Sequence, residues 1–128
     1  MKKRLKVLAL FDTAGTPPEN QDFSRELQTE DWKAEANVIN ALQRLGHEVR
    51  MLGVFDEPGL ILDEVKAHPP DVVFNLTEHF NNRSAYDQNV ASLLEMLGVR
   101  YTGSGPTGLT LCKNKGMTKE ILAYHRIR

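Results

Sequence analysis

Leu5-Lys-Val-Leu-Ala-Leu-Phe11 is a nearly unbroken apolar run that stops at Asp12. Runs apolar at consecutive rather than alternate positions belong to strands of a parallel sheet covered on both faces. Working outward, the same kind of segment returns as Glu48-Val-Arg-Met-Leu52, as Asp71-Val-Val-Phe-Asn75 and, shorter, as Val99-Arg-Tyr-Thr102. Between them lie stretches with helical spacing. Trp32, Ala36, Ile39, Leu42 and Leu45 recur on one face, with Thr29 as the expected cap and Gly46 as the stop. Pro58 opens a second helix through about Lys66, and Pro69 and Pro70 bar its continuation. Ser84-Ala-Tyr-Asp87 matches a capping pattern for a helix carrying Tyr86, Val90, Leu93, Leu94 and Leu97 on one face, ended by Gly98. Residues from Thr107 to Arg128 read as helix divided near Asn114.

This alternation predicts an α/β fold: three layers, with a mostly parallel four-stranded sheet in the order 2-1-3-4 and helices on both faces. Ligands of such sheets bind beyond the carboxyl ends of the strands, where the strand order reverses. The loops following Phe11 and Asn75 should therefore stand side by side at the mouth of a site. The loop from Asp12 to Gln28 is long for a strand-to-helix connection, a property common in functional loops.

A length of 128 residues fits one domain, and a 41% hydrophobic content supplies a core without a disulfide or metal staple. The single cysteine, Cys112, cannot form an internal disulfide, which suits a reducing, cytoplasmic setting. No histidine partner is fixed beside it, so it reads as non-catalytic. A net charge of −1 argues against a general nucleic-acid binder. Lys2, Lys3, Arg4 and Lys6 lead the chain. Lys113, Lys115, Lys119, Arg126 and Arg128 crowd its end, opposed by Glu120. Both clusters read as solvated faces, with an anion site as the sharper reading of the second. The first apolar run is too short for a signal peptide, and no stretch approaches the ~20 apolar residues of a membrane span.

Several chemistries lack their residues. No G-x-G-x-x-G follows the first strand, no P-loop exists, and there is no G-x-S-x-G elbow. The histidines at 47, 68, 79 and 125 show no close metal spacing. A phosphoacceptor module would need an aspartate where the third strand ends, and Asn75 stands there. What remains at the expected mouth is Asp12, past the first strand, and Asn75-Leu-Thr-Glu-His79, past the third. An acid at a strand end can hold an ammonium group or tune a neighbour. Asp12, Glu78 and His79 are thus the candidate substrate-binding residues, with loop capping as the plain alternative for Asp12. Arg83 could clamp a carboxylate from the following turn.

The most specific stretch is Leu93-Leu-Glu-Met-Leu-Gly-Val-Arg-Tyr-Thr-Gly-Ser-Gly105, followed by Leu109-Thr-Leu-Cys-Lys-Asn-Lys115 and Thr118-Lys119. Over about residues 88–122 this resembles the D-alanine–D-alanine ligases and their relatives in the ATP-grasp superfamily, whose first domain ends on a similar pattern. Gly103 and Gly105 are expected to allow a tight turn with positive φ.

The resemblance implies a Rossmann-like pre-ATP-grasp domain over residues 1–112, with 113–128 starting a linking helix to an ATP-grasp domain. It implies ATP and Mg2+ as cofactors of a complete ligase and none for this portion alone, which should be inactive by itself. It implies an amino acid as small-molecule substrate, a homodimer through this domain, and reaction through an acyl phosphate attacked by an amine. It assigns Lys115 to the ATP phosphates. Four departures stand out. Asn114 replaces the aspartate of the family's D-K pair. Arg100 replaces the proline before the tyrosine. Asp12-Thr-Ala-Gly-Thr-Pro-Pro18 replaces the glycine-rich segment after the first strand, and Glu78-His79 replaces the His-Gly after the third. Architecture therefore carries over better than substrate identity. The alternative function is a free-standing small-molecule-binding or dimerisation domain without catalysis.

Overall fold

A computed structural model describes residues 3–128. Three parallel strands, β1 (Lys6–Asp12), β2 (Glu48–Val54) and β3 (Val72–Asn75), form one sheet in the order β2-β1-β3. β1 lies at the centre, and Val7 to Phe11 are all buried, as the unbroken apolar run requires. Its side chains alternate between two cores. Leu8 and Leu10 join Leu52, Val54 and Val73, and are covered by Ile61 and Val65 of α2 (Gly59–Ala67) and Val90 and Leu94 of α3 (Asp87–Met96). Ala9 and Phe11 face the other way, onto Ile39 of α1 (Lys33–Arg44) and Phe23. Helices thus cover both faces of the sheet, making three layers.

The fourth strand is not formed. Val99–Thr102 touches the sheet through one parallel bridge, Val73 to Tyr101, with Val73 donating to the Arg100 carbonyl at 2.8 Å and Thr102 donating back to Val73 at 3.0 Å. The segment has little room to extend. Gly98 (φ +69°) and Gly103 (φ +94°) turn the chain on either side of it. The next ladder position is taken by a side chain, because the Asn75 N–H donates to the Thr102 hydroxyl at 3.1 Å. The sheet is therefore three-stranded with a bridge where the fourth strand was expected.

Two local expectations also change. Thr29 does not cap α1: it is extended, and its hydroxyl donates to the Glu26 carbonyl at 2.7 Å. Two single 3-10 turns, Glu26–Gln28 and Glu30–Trp32, precede α1 instead. Gly105 has φ −71° and serves as the residue before α4 (Pro106–Lys113), so positive φ is needed at Gly103 but not there. The division near Asn114 is present as expected. Asn114 ends α4, and its side chain accepts from the Met117 N–H at 3.0 Å to start α5 (Lys115–Tyr124).

The long loop after β1 packs tightly at the end of β2. The Gln21 side chain exchanges two hydrogen bonds with Gly53, accepting from its N–H at 2.7 Å and donating to its carbonyl at 3.2 Å. Phe23 sits over Gly53 so closely that an added Cβ would lie 2.5 Å from the ring. Phe23 also meets Phe11 edge-on (centroids 5.0 Å apart) and stacks on Trp32 (5.4 Å). This aromatic cluster anchors the loop and fixes the direction in which the chain leaves Asp12.

Candidate functional site

The mouth forms where the strand order reverses. Beyond β3, Leu76 donates to the Leu10 carbonyl at 2.8 Å, which keeps the chain beside β1 for one more step. The Asn75 side chain then accepts from both the N–H (3.2 Å) and the hydroxyl (2.7 Å) of Thr77, an Asx-type turn that redirects the backbone. Glu78 and His79 are thereby delivered to Asp12. One Asp12 oxygen accepts from the Glu78 N–H at 2.7 Å. The other stands 3.6 Å from His79 Nδ1. On the β1 side, Thr13 fixes the exit by donating through its N–H (2.9 Å) and its hydroxyl (3.2 Å) to the Val54 carbonyl.

Asp12, Glu78 and His79 are thus brought together, though they come from loops far apart in sequence. The Asp12 side chain is 22% exposed and that of His79 46%, so both a carboxylate and an imidazole face solvent at the rim. A separate crevice of about 230 Å³, lined in part by Pro18, Glu19, Asp56 and Glu57 and by none of these three residues, runs between the loops that follow β1 and β2. Fixed negative charge at such a mouth attracts an ammonium group and disfavours an unpaired carboxylate.

Arg83 does not join the mouth. Its guanidinium lies over the Tyr86 ring, 5.4 Å from the centroid, and donates to the Tyr86 hydroxyl at 3.1 Å. Lys115 is not brought there by any hydrogen bond or ion pair among the described residues. It is the exposed first residue of α5, directly after the Asn114 corner. Among the described residues no group of three or more His, Cys, Asp or Glu could hold a metal ion. No helix among them is long and apolar enough to cross a membrane.

The sequence reading missed two features. The Gln21–Gly53 lock carries no motif that would reveal it. Asp87, which the sequence offers only as part of a cap, is buried and pairs with Lys113 at 2.7 Å. Its position one turn ahead of buried Val90 and Ala91 was the available signal. An apolar cavity of about 350 Å³ between α2 and α3 is lined by Ile61, Phe80, Tyr86, Val90 and Leu93, with Asn81 and Asn89 as polar groups. None of the candidate site residues lines it. Its chemistry suits an apolar group, whereas the acidic mouth carries the ionisable ones.

A parallel α/β domain with this strand order is of the doubly wound class, whose ligands bind beyond the carboxyl ends of the strands. No protein-family model matches the chain. It is similar to the D-alanine–D-alanine ligase of Rhizorhabdus wittichii, at 35% identity over 91 residues, which is 71% of this chain and 27% of that protein. The D-alanine–D-alanine ligase of Moorella thermoacetica is 36% identical over 90 residues (70% and 27%). That of Sphingopyxis alaskensis is 33% identical over 104 residues (75% and 32%). The chain thus spans roughly a quarter to a third of the length of the curated relatives it matches. Over about 70% of its length the chain matches D-alanine–D-alanine ligases, as a partial, N-terminal-domain-like match consistent with the ATP-grasp family.

Proposed function

We propose that this domain is the substrate-side N-terminal part of an ATP-dependent carboxylate–amine ligase, a small-molecule enzyme of the cytoplasm. The observation that carries this is the Asp12 carboxylate, which gathers Glu78 and His79 at the reversal point of the sheet within a ligase-like domain. In this reading Asp12 and Glu78 attract the ammonium group of an amino acid. His79 holds or moves a proton at Nδ1 beside Asp12. Lys115, an exposed ammonium at the start of α5, reaches an ATP phosphate as a flexible point charge. Residues 1–112 form the substrate-side unit and 113–128 the lead into a nucleotide-binding domain. That second domain supplies Mg2+, whose part in such a reaction is to neutralise phosphate charge.

The first test follows the His79 imidazole by NMR in this chain while amino acids are added. D-alanine and other amino acids should shift its resonances saturably, whereas a carboxylic acid of similar size lacking the amino group should not. Asp12→Asn should abolish the shift. Absence of any response to amino acids, or an equal response to the amine-free acid, would refute the assignment. For Lys115, replacement by Ala in the ATP-dependent protein should raise KM for ATP by roughly tenfold, equivalent to about 1.4 kcal/mol. Unchanged ATP kinetics would remove that role.

A further inference from the structure

Asp87 is the first residue of α3 and is 6% exposed. One carboxylate oxygen, Oδ2, lies 2.7 Å from Lys113 Nζ in the last turn of α4. The other, Oδ1, is buried and meets no hydrogen-bond partner among the described residues. Lys113 also donates to the Ser84 carbonyl, so its ammonium group ties α4 both to α3 and to the turn before it. One turn back along α4, the Thr110 hydroxyl meets Gln88 Oε1 at 2.6 Å. Neither α4 nor α5 contributes a buried residue to the core. Apolar burial is therefore a weak anchor for this arm, and the polar ties to α3 set where it lies.

Lys113 is followed directly by the Asn114 corner and then by Lys115. The corner is internally braced: the Asn114 side chain accepts from Met117 N–H, and the Thr118 hydroxyl donates to the Leu111 carbonyl. A braced corner transmits the placement of α4 to α5 as a unit. We propose that Asp87 is a positioning residue: through its ion pair with Lys113 it latches the α4–α5 corner onto α3 and so fixes the place from which Lys115 acts. The proposal rests on the phosphate role of Lys115 for its functional meaning, but the latch has its own readout. A buried carboxylate that loses its cation partner is left uncompensated. The nearest relief is for α4 to lift away and let water reach Asp87, which frees the arm and leaves the sheet in place.

The experiment is amide hydrogen exchange on this chain with Asp87→Asn, Lys113→Met and Lys113→Arg. Asp87→Asn and Lys113→Met should speed exchange across residues 109–124 at least tenfold while β1 and β3 keep their protection. Lys113→Arg, which retains the charge, should restore protection. Unchanged exchange in both disrupting variants would overturn the latch, as would an equal rise throughout the sheet. Should Asp87→Asn fail to fold, Lys113→Met, altered at a partly exposed side chain, answers the same question. In the ATP-dependent protein, Asp87→Asn should raise KM for ATP by several-fold, and it should add little once Lys115 is Ala. Full additivity of the two changes would overturn the positioning role. If Lys115→Ala alone leaves ATP use unchanged, the phosphate reading falls, while the exchange result still decides the latch.

Discussion

At the scale of single residues, the segment that resembles the ligases owes part of its pattern to one hydrogen bond. The Tyr101 hydroxyl donates to Glu95 Oε1 at 2.7 Å, linking the end of α3 to the bridge segment six residues later. Gly105 lies close by, where an added Cβ would come 3.4 Å from Glu95 Oε1 and 3.6 Å from the Tyr101 hydroxyl, so a small residue suits the position. The bond to Glu95, helped by partial desolvation and the carboxylate's charge, raises the Tyr101 pKa above its ordinary value of 10.0. The folded state therefore holds this proton more tightly than the unfolded chain. The stabilisation is complete below the unfolded value and is lost as pH rises through the folded one. We expect one of the three tyrosines to titrate late in an alkaline absorbance titration. Glu95→Ala should return it to the ordinary range and cost about 1 kcal/mol in urea denaturation at neutral pH. An unchanged titration curve in Glu95→Ala would show that the bond does not persist in solution.

At the scale of elements, Asn114 illustrates how well local chemistry is written in sequence. Asparagine caps helices because its side-chain oxygen accepts a free backbone N–H, and the corner between α4 and α5 falls there. Asn114→Ala should weaken the start of α5 by about 1 kcal/mol, seen as reduced helical circular dichroism at low denaturant with no change in Trp32 fluorescence. Equal loss of both signals would mean that α5 supports the core. Thr29 had the same local promise and failed it, because its hydroxyl found the Glu26 carbonyl first and the chain entered α1 through two 3-10 turns. The three strands were legible because each carries enough apolar residues to require burial. The fourth was not, because Val99–Thr102 reads as a strand by composition while its neighbours Gly98 and Gly103 limit it to one bridge. The convergence of Asp12 with Glu78 and His79 was legible from topology alone, since the reversal of strand order dictates which loops meet. The buried Asp87–Lys113 pair was not, because a charge at a helix start is ordinarily exposed and nothing local names its partner.

At the scale of the whole molecule, stability is distributed unequally. β1 is packed from both sides, with Leu10 and Phe11 fully buried toward opposite cores, so the sheet and the three helices that cover it share their apolar contacts. The arm formed by α4 and α5 adds no buried residue, and Met117, Ile121, Leu122 and Tyr124 remain exposed on α5. Opening of such a segment costs much less than global unfolding. Trypsin at low concentration should therefore cut after Lys115 and Lys119 well before it cuts after Arg44 or Lys66, which close α1 and α2. The product retaining the sheet should keep the Trp32 emission of the intact chain, because Trp32 packs edge-on against Phe11 at 5.3 Å on the α1 side. Simultaneous cleavage in the arm and in α1 or α2 would indicate a single cooperative unit. An early cut confined to the arm would place Lys115 on the segment of lowest stability, where a small free energy from a bound phosphate could order it.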